Sequence, residues 1–277
     1  MLSSDPGARA VERAWLLYTP VWGAITGGVM LGGFAERWGD VPLMIFGVVL
    51  ALGALAAPWL ALPKSPAERT SAAQHAASMS IATVVLALGM NYFQTPYFFD
   101  VLHMRYGFRA SWTLEHNPLF LYLVTIPYFA TYSVLACIAT RLARARAPWL
   151  GGAVWAVVPF TLALLETVLN ANPFMTRLFC YDDLPLMLWF GTLSYGVSFV
   201  LALPVWTALA EPAHETDARW KQLVRRPVIG PLLAMALVVL LDTLVLAGAR
   251  AWVAPHFTTV VSGATGGAGG CLAPAEP

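Results

Sequence analysis

Apolar runs of about 20 residues recur seven times along the chain, at 14–34, 42–62, 79–99, 118–140, 149–170, 185–209 and 228–252, with short polar segments between them. Each is long enough to carry a helix across ~30 Å of hydrocarbon at ~1.5 Å per residue. No strand period is visible, and the short alternating segments of a membrane β-barrel are missing. A backbone that must satisfy its hydrogen bonds inside the bilayer then defaults to helix. The pattern predicts an all-α integral membrane protein, a bundle of about seven transmembrane helices. Residues 1–254 form a single polytopic helical membrane domain in this reading. Residues 255–277, rich in glycine (Gly263, Gly266, Gly267, Gly269, Gly270), form a flexible C-terminal tail. The first run follows Arg9 and Arg13 as a signal peptide's would, yet it is longer and ends without a cleavage site, so it counts as a retained span.

Composition sharpens this picture. The 277 residues are 58% hydrophobic and 11% charged, against roughly 45–50% and about 25% in soluble domains. The basic residues also give the spans a direction. Eleven of sixteen Lys and Arg fall at the N-terminus or in the loops around Lys64, Arg144 and Arg225, and five fall on the other side. The positive-inside rule puts the N-terminus in the cytoplasm and the C-terminus outside. A net charge of +1 with no basic, aromatic-interleaved patch speaks for no nucleic-acid partner. Cys137 lies inside a span as packing, whereas Cys180 and Cys271 share the outer side. The latter two read as free thiols, with a disulfide as the alternative in an oxidising compartment.

Polar residues inside the spans carry the candidate chemistry. Span three ends Asn91-Tyr92-Phe93-Gln94-Thr95-Pro96-Tyr97-Phe98-Phe99-Asp100, with Asn91 and Thr95 one turn apart on a face that must point into the bundle. Interhelical hydrogen bonding and ligand binding both suit it. In span five Glu166 and Asn170 stack one turn apart. An ionisable residue at that depth costs several kcal/mol unless paired or protonated, and is a functional candidate by default, suited to general acid work. Asp242 sits among leucines in span seven under the same constraint. Span one opens with Trp15, Tyr18 and Trp22, which read as an aromatic anchor at the membrane interface. The loop 100–117 holds Trp112, His103 and His116, too widely spaced for a metal site. The adjacent Asp182 and Asp183 read as exposed carboxylates.

Taken together, Leu16-Leu17-Tyr18-Thr19-Pro20-x-Trp22, Asn91-Tyr92-Phe93-x-Thr95-x-Tyr97-Phe98-Phe99-x-Val101-Leu102, Ser111-Trp112 and Leu165-Glu166-Thr167 with Ala171-Asn172 resemble cycloeucalenol cycloisomerases, plant membrane enzymes of sterol synthesis. The resemblance runs from about residue 15 to Leu241-Asp242. It implies opening of the 9β,19-cyclopropane ring of a cyclopropyl sterol by protonation and loss of the C8 proton, an isomerisation that needs no cofactor. Glu166 is the first candidate for the acid and Asp242 the second. The chain departs from the plant pattern at Pro96, where those enzymes carry His, and His116 is the nearest possible substitute. Asn91, Tyr92, Thr95, Tyr97, Phe98, Trp112, Asn170 and Asn172 are the expected substrate-binding residues, aromatic faces stabilising the cation and amides or hydroxyls holding the acid or the sterol hydroxyl. The expected partners are the lipid bilayer and a sterol. A sterol or isoprenoid binding or transport protein, or a sterol ring double-bond isomerase, would need the same cluster. Fourteen Arg against two Lys suggest a GC-rich genome; the membrane is the cytoplasmic one if the source is bacterial and the endoplasmic reticulum if it is eukaryotic.

Overall fold

A computed structural model of the chain describes residues 2–181, 183–210 and 221–257. Among them seven helices are long and apolar enough to cross a membrane: α1 (Pro6–Leu31), α2 (Asp40–Leu60), α3 (Pro66–Pro96), α4 (Leu119–Arg146), α5 (Val154–Asn170), α6 (Leu184–Ala210) and α7 (Arg225–Val253). The chain is an all-α, multi-pass membrane bundle. Successive helices alternate in direction, so residues 32–39, 102–118 and 171–181 gather at one end, here the loop end. The N-terminal residues and the connections 61–65 and 147–153 lie at the other.

Helices α1 and α3 start well before their apolar stretches. Helix α1 begins at Pro6, where the Asp5 side chain accepts from the Ala8 N–H at 2.8 Å and proline occupies the first turn. Its first turns bury Glu12 completely. The carboxylate accepts from Arg141 Nη2 of α4 at 2.5 Å and from the Ser3 N–H at 2.8 Å. Helix α3 begins at Pro66, and its His75 reaches Asp5 Oδ1 at 3.1 Å and the Leu209 carbonyl at 3.0 Å. Hydropathy marks hydrocarbon rather than helix ends, which is why these two apolar runs start later than their helices.

The aromatic residues of α1 correct an expectation. Trp15 is 1% exposed and donates from Nε1 to the Ala54 carbonyl at 2.8 Å, and Trp22 donates to Thr131 Oγ1 at 3.0 Å. The Tyr18 hydroxyl donates to the Leu50 carbonyl at 3.0 Å and lies over Gly53, where a Cβ would stand only 2.2 Å from the hydroxyl oxygen. These rings tie α1 to α2 and α4 inside the bundle and do not form an interface belt, because each polar atom finds its acceptor on a neighbouring helix.

Wider π turns interrupt three helices. Helix α3 continues past Pro96 as a π turn over Tyr97–Val101, α6 contains one over Met187–Gly191, and α7 starts within one over Lys221–Ile229 and contains another over Leu240–Leu246. At the loop end, strands absent from the hydrophobic pattern appear: β1 (Met104–Tyr106), β2 (Thr113–Leu114), β3 (Asn117–Pro118) and β4 (Phe179–Tyr181). They are too short to show a period. Strand β1 pairs antiparallel with β4, Arg105 opposite Cys180. Strands β2 and β3 form a hairpin turned by Glu115 and His116, both at positive φ (49° and 62°). Cys180 is disulfide-bonded, which corrects the free-thiol reading there, while Cys271 lies outside the described residues. Asp183 is an N-cap, accepting from the Leu186 N–H at 2.9 Å, and not a free surface carboxylate; Asp182 lies outside the described residues. The helix that carries α7 continues through Phe257, so residues 255–257 of the expected tail are helical. The tail from 258 onward lies outside the described residues.

The Glu12–Arg141 pair gives a stability prediction. Arg141→Met leaves a buried carboxylate without its cation and lowers stability by on the order of 3 kcal/mol, read as a lower unfolding temperature of the detergent-solubilised protein. Equal melting of variant and parent would show that the pair contributes nothing.

Candidate functional site

A cavity of about 1170 Å³ lies between α1, α3, α4, α5 and α6. Small-molecule sites run to roughly 300–1,000 Å³, so this one has room for a large ligand. The helical period builds its walls. Leu121, Val124, Tyr128, Tyr132 and Leu135 present one face of α4 to it over ~21 Å. Thr19, Trp22, Thr26 and Met30 do the same from α1. Strands β1 and β4 roof the loop end with Met104, Tyr106, Phe179 and Tyr181. Burial pushes the Tyr106 and Tyr181 hydroxyls above the ordinary phenol range, so they remain neutral at physiological pH.

One carboxyl faces this space. Among the described residues Glu166 is the only acidic side chain lining the cavity, and no Lys, Arg or His lines it. Glu166 is 7% exposed, and its Oε1 accepts from Asn170 Nδ2 at 2.6 Å. Its Oε2 has no hydrogen-bond partner among the described residues. The Tyr128, Tyr181 and Tyr195 hydroxyls lie within reach of its charge. The i, i+4 spacing of α5 stacks the amide on the acid, and the loop after α5 adds Asn172 to the rim.

Opposite, Asn91 and Thr95 of α3 belong to a network that the sequence showed only in part. Asn117 of β3, fully buried, donates from Nδ2 to Asn91 Oδ1 at 2.8 Å and to Thr95 Oγ1 at 3.4 Å. Asn91 Nδ2 in turn donates to Thr125 Oγ1 of α4. Asn91, Thr95 and Thr125 line the cavity and Asn117 stands behind them. A lone Asn before a proline in a loop carries no periodic signal, so Asn117 escapes a span-based reading.

Asp242 is placed differently. It is 1% exposed and does not line the cavity. Its Oδ2 accepts from Gln94 Nε2 at 2.9 Å and from the Ser194 hydroxyl, and Gln94 Nε2 also reaches Ser194 Oγ at 2.6 Å. Of this trio only Gln94 lines the cavity. Phe98 lines it as expected. Tyr97 is buried behind the end of α3, on the side of Asp242 and Arg250. Tyr92 and Trp112 are exposed and lie off the cavity, and exposed His116 sits on the hairpin turn with its ring 6.1 Å from that of Phe99. The structure therefore brings together Asn91, Thr95, Phe98, Glu166, Asn170 and Asn172 from the expected set and leaves out Tyr92, Tyr97, Trp112, His116 and Asp242. Tyr128, Tyr195 and Thr125 join them; their i, i+3 and i, i+4 partners on α4 and α6 were the available signal.

Set against protein-family models, curated proteins and solved structures, the chain matches none.

Asn117 gives a second prediction. Asn117→Ala leaves the Asn91 acceptor unmet in a buried place and lowers stability by about 1–3 kcal/mol. Melting of the purified variant in detergent measures it, and an unchanged melting temperature would remove the network from the fold's supports.

Proposed function

We propose that the chain is a cofactor-independent isomerase that opens the cyclopropane ring of a cyclopropyl sterol, with Glu166 as its acid. The observation that carries this reading is a large, aromatic-lined cavity in which, among the described residues, Glu166 is the one carboxyl, no cation is present and Glu166 Oε2 has no hydrogen-bond partner. The resemblance to cycloeucalenol cycloisomerases supports the same chemistry.

In the acid form, Glu166 delivers its proton to the cyclopropane methylene. The C9–C19 bond breaks, its electron pair forms the new C–H bond, and C19 becomes the angular methyl group on C10. The cation left at C9 faces the rings of Phe98, Tyr128 and Tyr195, whose quadrupoles stabilise it. The C8 proton then leaves to the Glu166 carboxylate, and its bonding pair becomes the C8–C9 double bond. Both protons lie on one face of the sterol, so a single carboxyl gives and retakes one. Asn170 holds the carboxyl in place, and Asn91, Thr95 and Thr125 are the amide and hydroxyls able to meet the sterol 3-hydroxyl.

A second reading is a protein that binds or carries a sterol or isoprenoid unchanged. It is favoured by the hydrogen bond that already occupies one Glu166 oxygen. A sterol double-bond isomerase would use the same acid, and product analysis by mass spectrometry separates it. The decisive variant is Glu166→Gln. Membranes carrying it are expected to lose about 10²–10⁴-fold in conversion of cycloeucalenol while still binding the sterol. Asp242→Asn, off the cavity, is expected to stay within about tenfold of the parent. Unchanged conversion by Glu166→Gln removes it as the acid, and no turnover of any cyclopropyl sterol by the parent protein favours the carrier.

In this reading the basic residues hold the N-terminus in the cytoplasm and the loop end outside. A Ser111→Cys thiol in intact cells is then labelled by a membrane-impermeant maleimide; labelling only after lysis reverses the orientation.

A further inference from the structure

The walls of the cavity are not equally closed. On α3, α4 and α6 every lining residue is buried or half-buried. The exposed ones are Gly23 and Leu31 of α1, Leu165, Val168 and Leu169 of α5, and Phe174 just beyond it. All six are apolar. Helices α1 and α5 each pack on α4 but form no packed seam with each other, so the cavity opens sideways between them. A Cβ placed on Gly23 or Gly27 would meet no atom within 4 Å, so the glycines keep the gap clear.

The depth of the gap matters. Gly23 lies ~12 Å along the helix from the end of α1, and Leu165 ~8 Å from the end of α5, both within their spans. Above them the β1–β4 ribbon roofs the loop end with Tyr106, Phe179 and Tyr181. The opening therefore faces hydrocarbon while the aqueous side is covered.

We infer that the gap between α1 and α5 is a lateral portal through which an uncharged polycyclic lipid passes from the bilayer into the cavity without crossing water. The inference rests on the sterol reading of the cavity. Such a ligand is already dissolved in hydrocarbon, so an apolar rim opposes it with no desolvation of polar groups. A charged ligand would meet no counter-charge at the rim, since none of the described residues there is charged.

The test uses the full-length protein in phosphatidylcholine vesicles with dehydroergosterol, a fluorescent 3-hydroxy sterol, as the probe. Energy transfer from tryptophan follows its arrival and departure. Gly23→Phe narrows the gap, and Leu52→Phe on the lipid-facing surface of α2 is the control. Gly23→Phe is expected to slow both association and dissociation about tenfold while equilibrium binding changes less than about threefold; the control is expected to leave all three unchanged. Separately, a bimane on Leu165→Cys is expected to be quenched by brominated phosphatidylcholine and not by aqueous iodide. Parental rates in Gly23→Phe, or quenching by iodide alone, overturn the portal. No energy transfer with the parent protein, together with quenching by brominated lipid, sinks the sterol reading and leaves a lipid-facing gap without that ligand.

Discussion

Hydrocarbon offers no hydrogen-bond partner, so every polar group carried into the bilayer must find one inside the bundle or remain unmet. Most of this chain's polar side chains answer that demand by joining helices. Trp15 and Tyr18 donate to carbonyls of α2, Trp22 to a hydroxyl of α4, and Gln94 joins α3 to Ser194 of α6 and Asp242 of α7. Each tie is modest, since a made hydrogen bond adds only about 1 kcal/mol net. Its loss costs more, because the orphaned partner stays buried. The same constraint thus sets the packing of the bundle and singles out the groups that the packing does not use.

Those unused groups define the site. Ties join α1 to α2 and α4, and α3 to α6 and α7, whereas between α1 and α5 the helices stand apart and Gly23 and Gly27 leave the gap open. The space left is walled mainly by apolar and aromatic faces and, among the described residues, holds one acidic side chain. A void of this size in a close-packed protein loses dispersion contacts along its whole lining, and a ligand of matching shape would restore them. A rigid, mostly apolar polycycle recovers the most per molecule. One hydroxyl on it suffices for the few amides and hydroxyls at the wall.

Much of this was legible in the chain, for a physical reason. Apolar length reports spans directly, and i, i+4 spacing put Asn91 with Thr95 and Glu166 with Asn170 on shared faces that the folded bundle keeps. What escaped is what periodicity cannot encode. Asn117 reaches its partners from a loop, Glu12 meets Arg141 across 129 residues of sequence, and the strands of the loop end are two or three residues long. Trp15 and Trp22 were misplaced because an amphipathic ring suits an interface as well as a buried hydrogen bond, and only the position of the acceptor decides. His116 fell off the site because it forms, with Glu115, an exposed two-residue hairpin turn at positive φ, outside the cavity.

The contrast between Glu166 and Asp242 shows why a buried acid is a weak pointer to chemistry until its neighbours are known. Both are carboxyls in apolar spans, and both keep one oxygen unmet among the described residues. Asp242 sits on a π turn of α7, where its other oxygen draws together Gln94 and Ser194 from two further helices. It stands behind the wall, so any proton it gave would have to travel through Gln94, whose amide NH₂ donates but accepts no proton because its lone pair is delocalised into the carbonyl. Glu166 is held by a residue of its own helix, costs the bundle no interhelical tie, and opens directly on the space. An acid that protonates carbon must touch it, because no hydrogen-bond relay ends on an alkane. Of the two, only the carboxyl that the fold can spare for contact with a ligand meets that requirement.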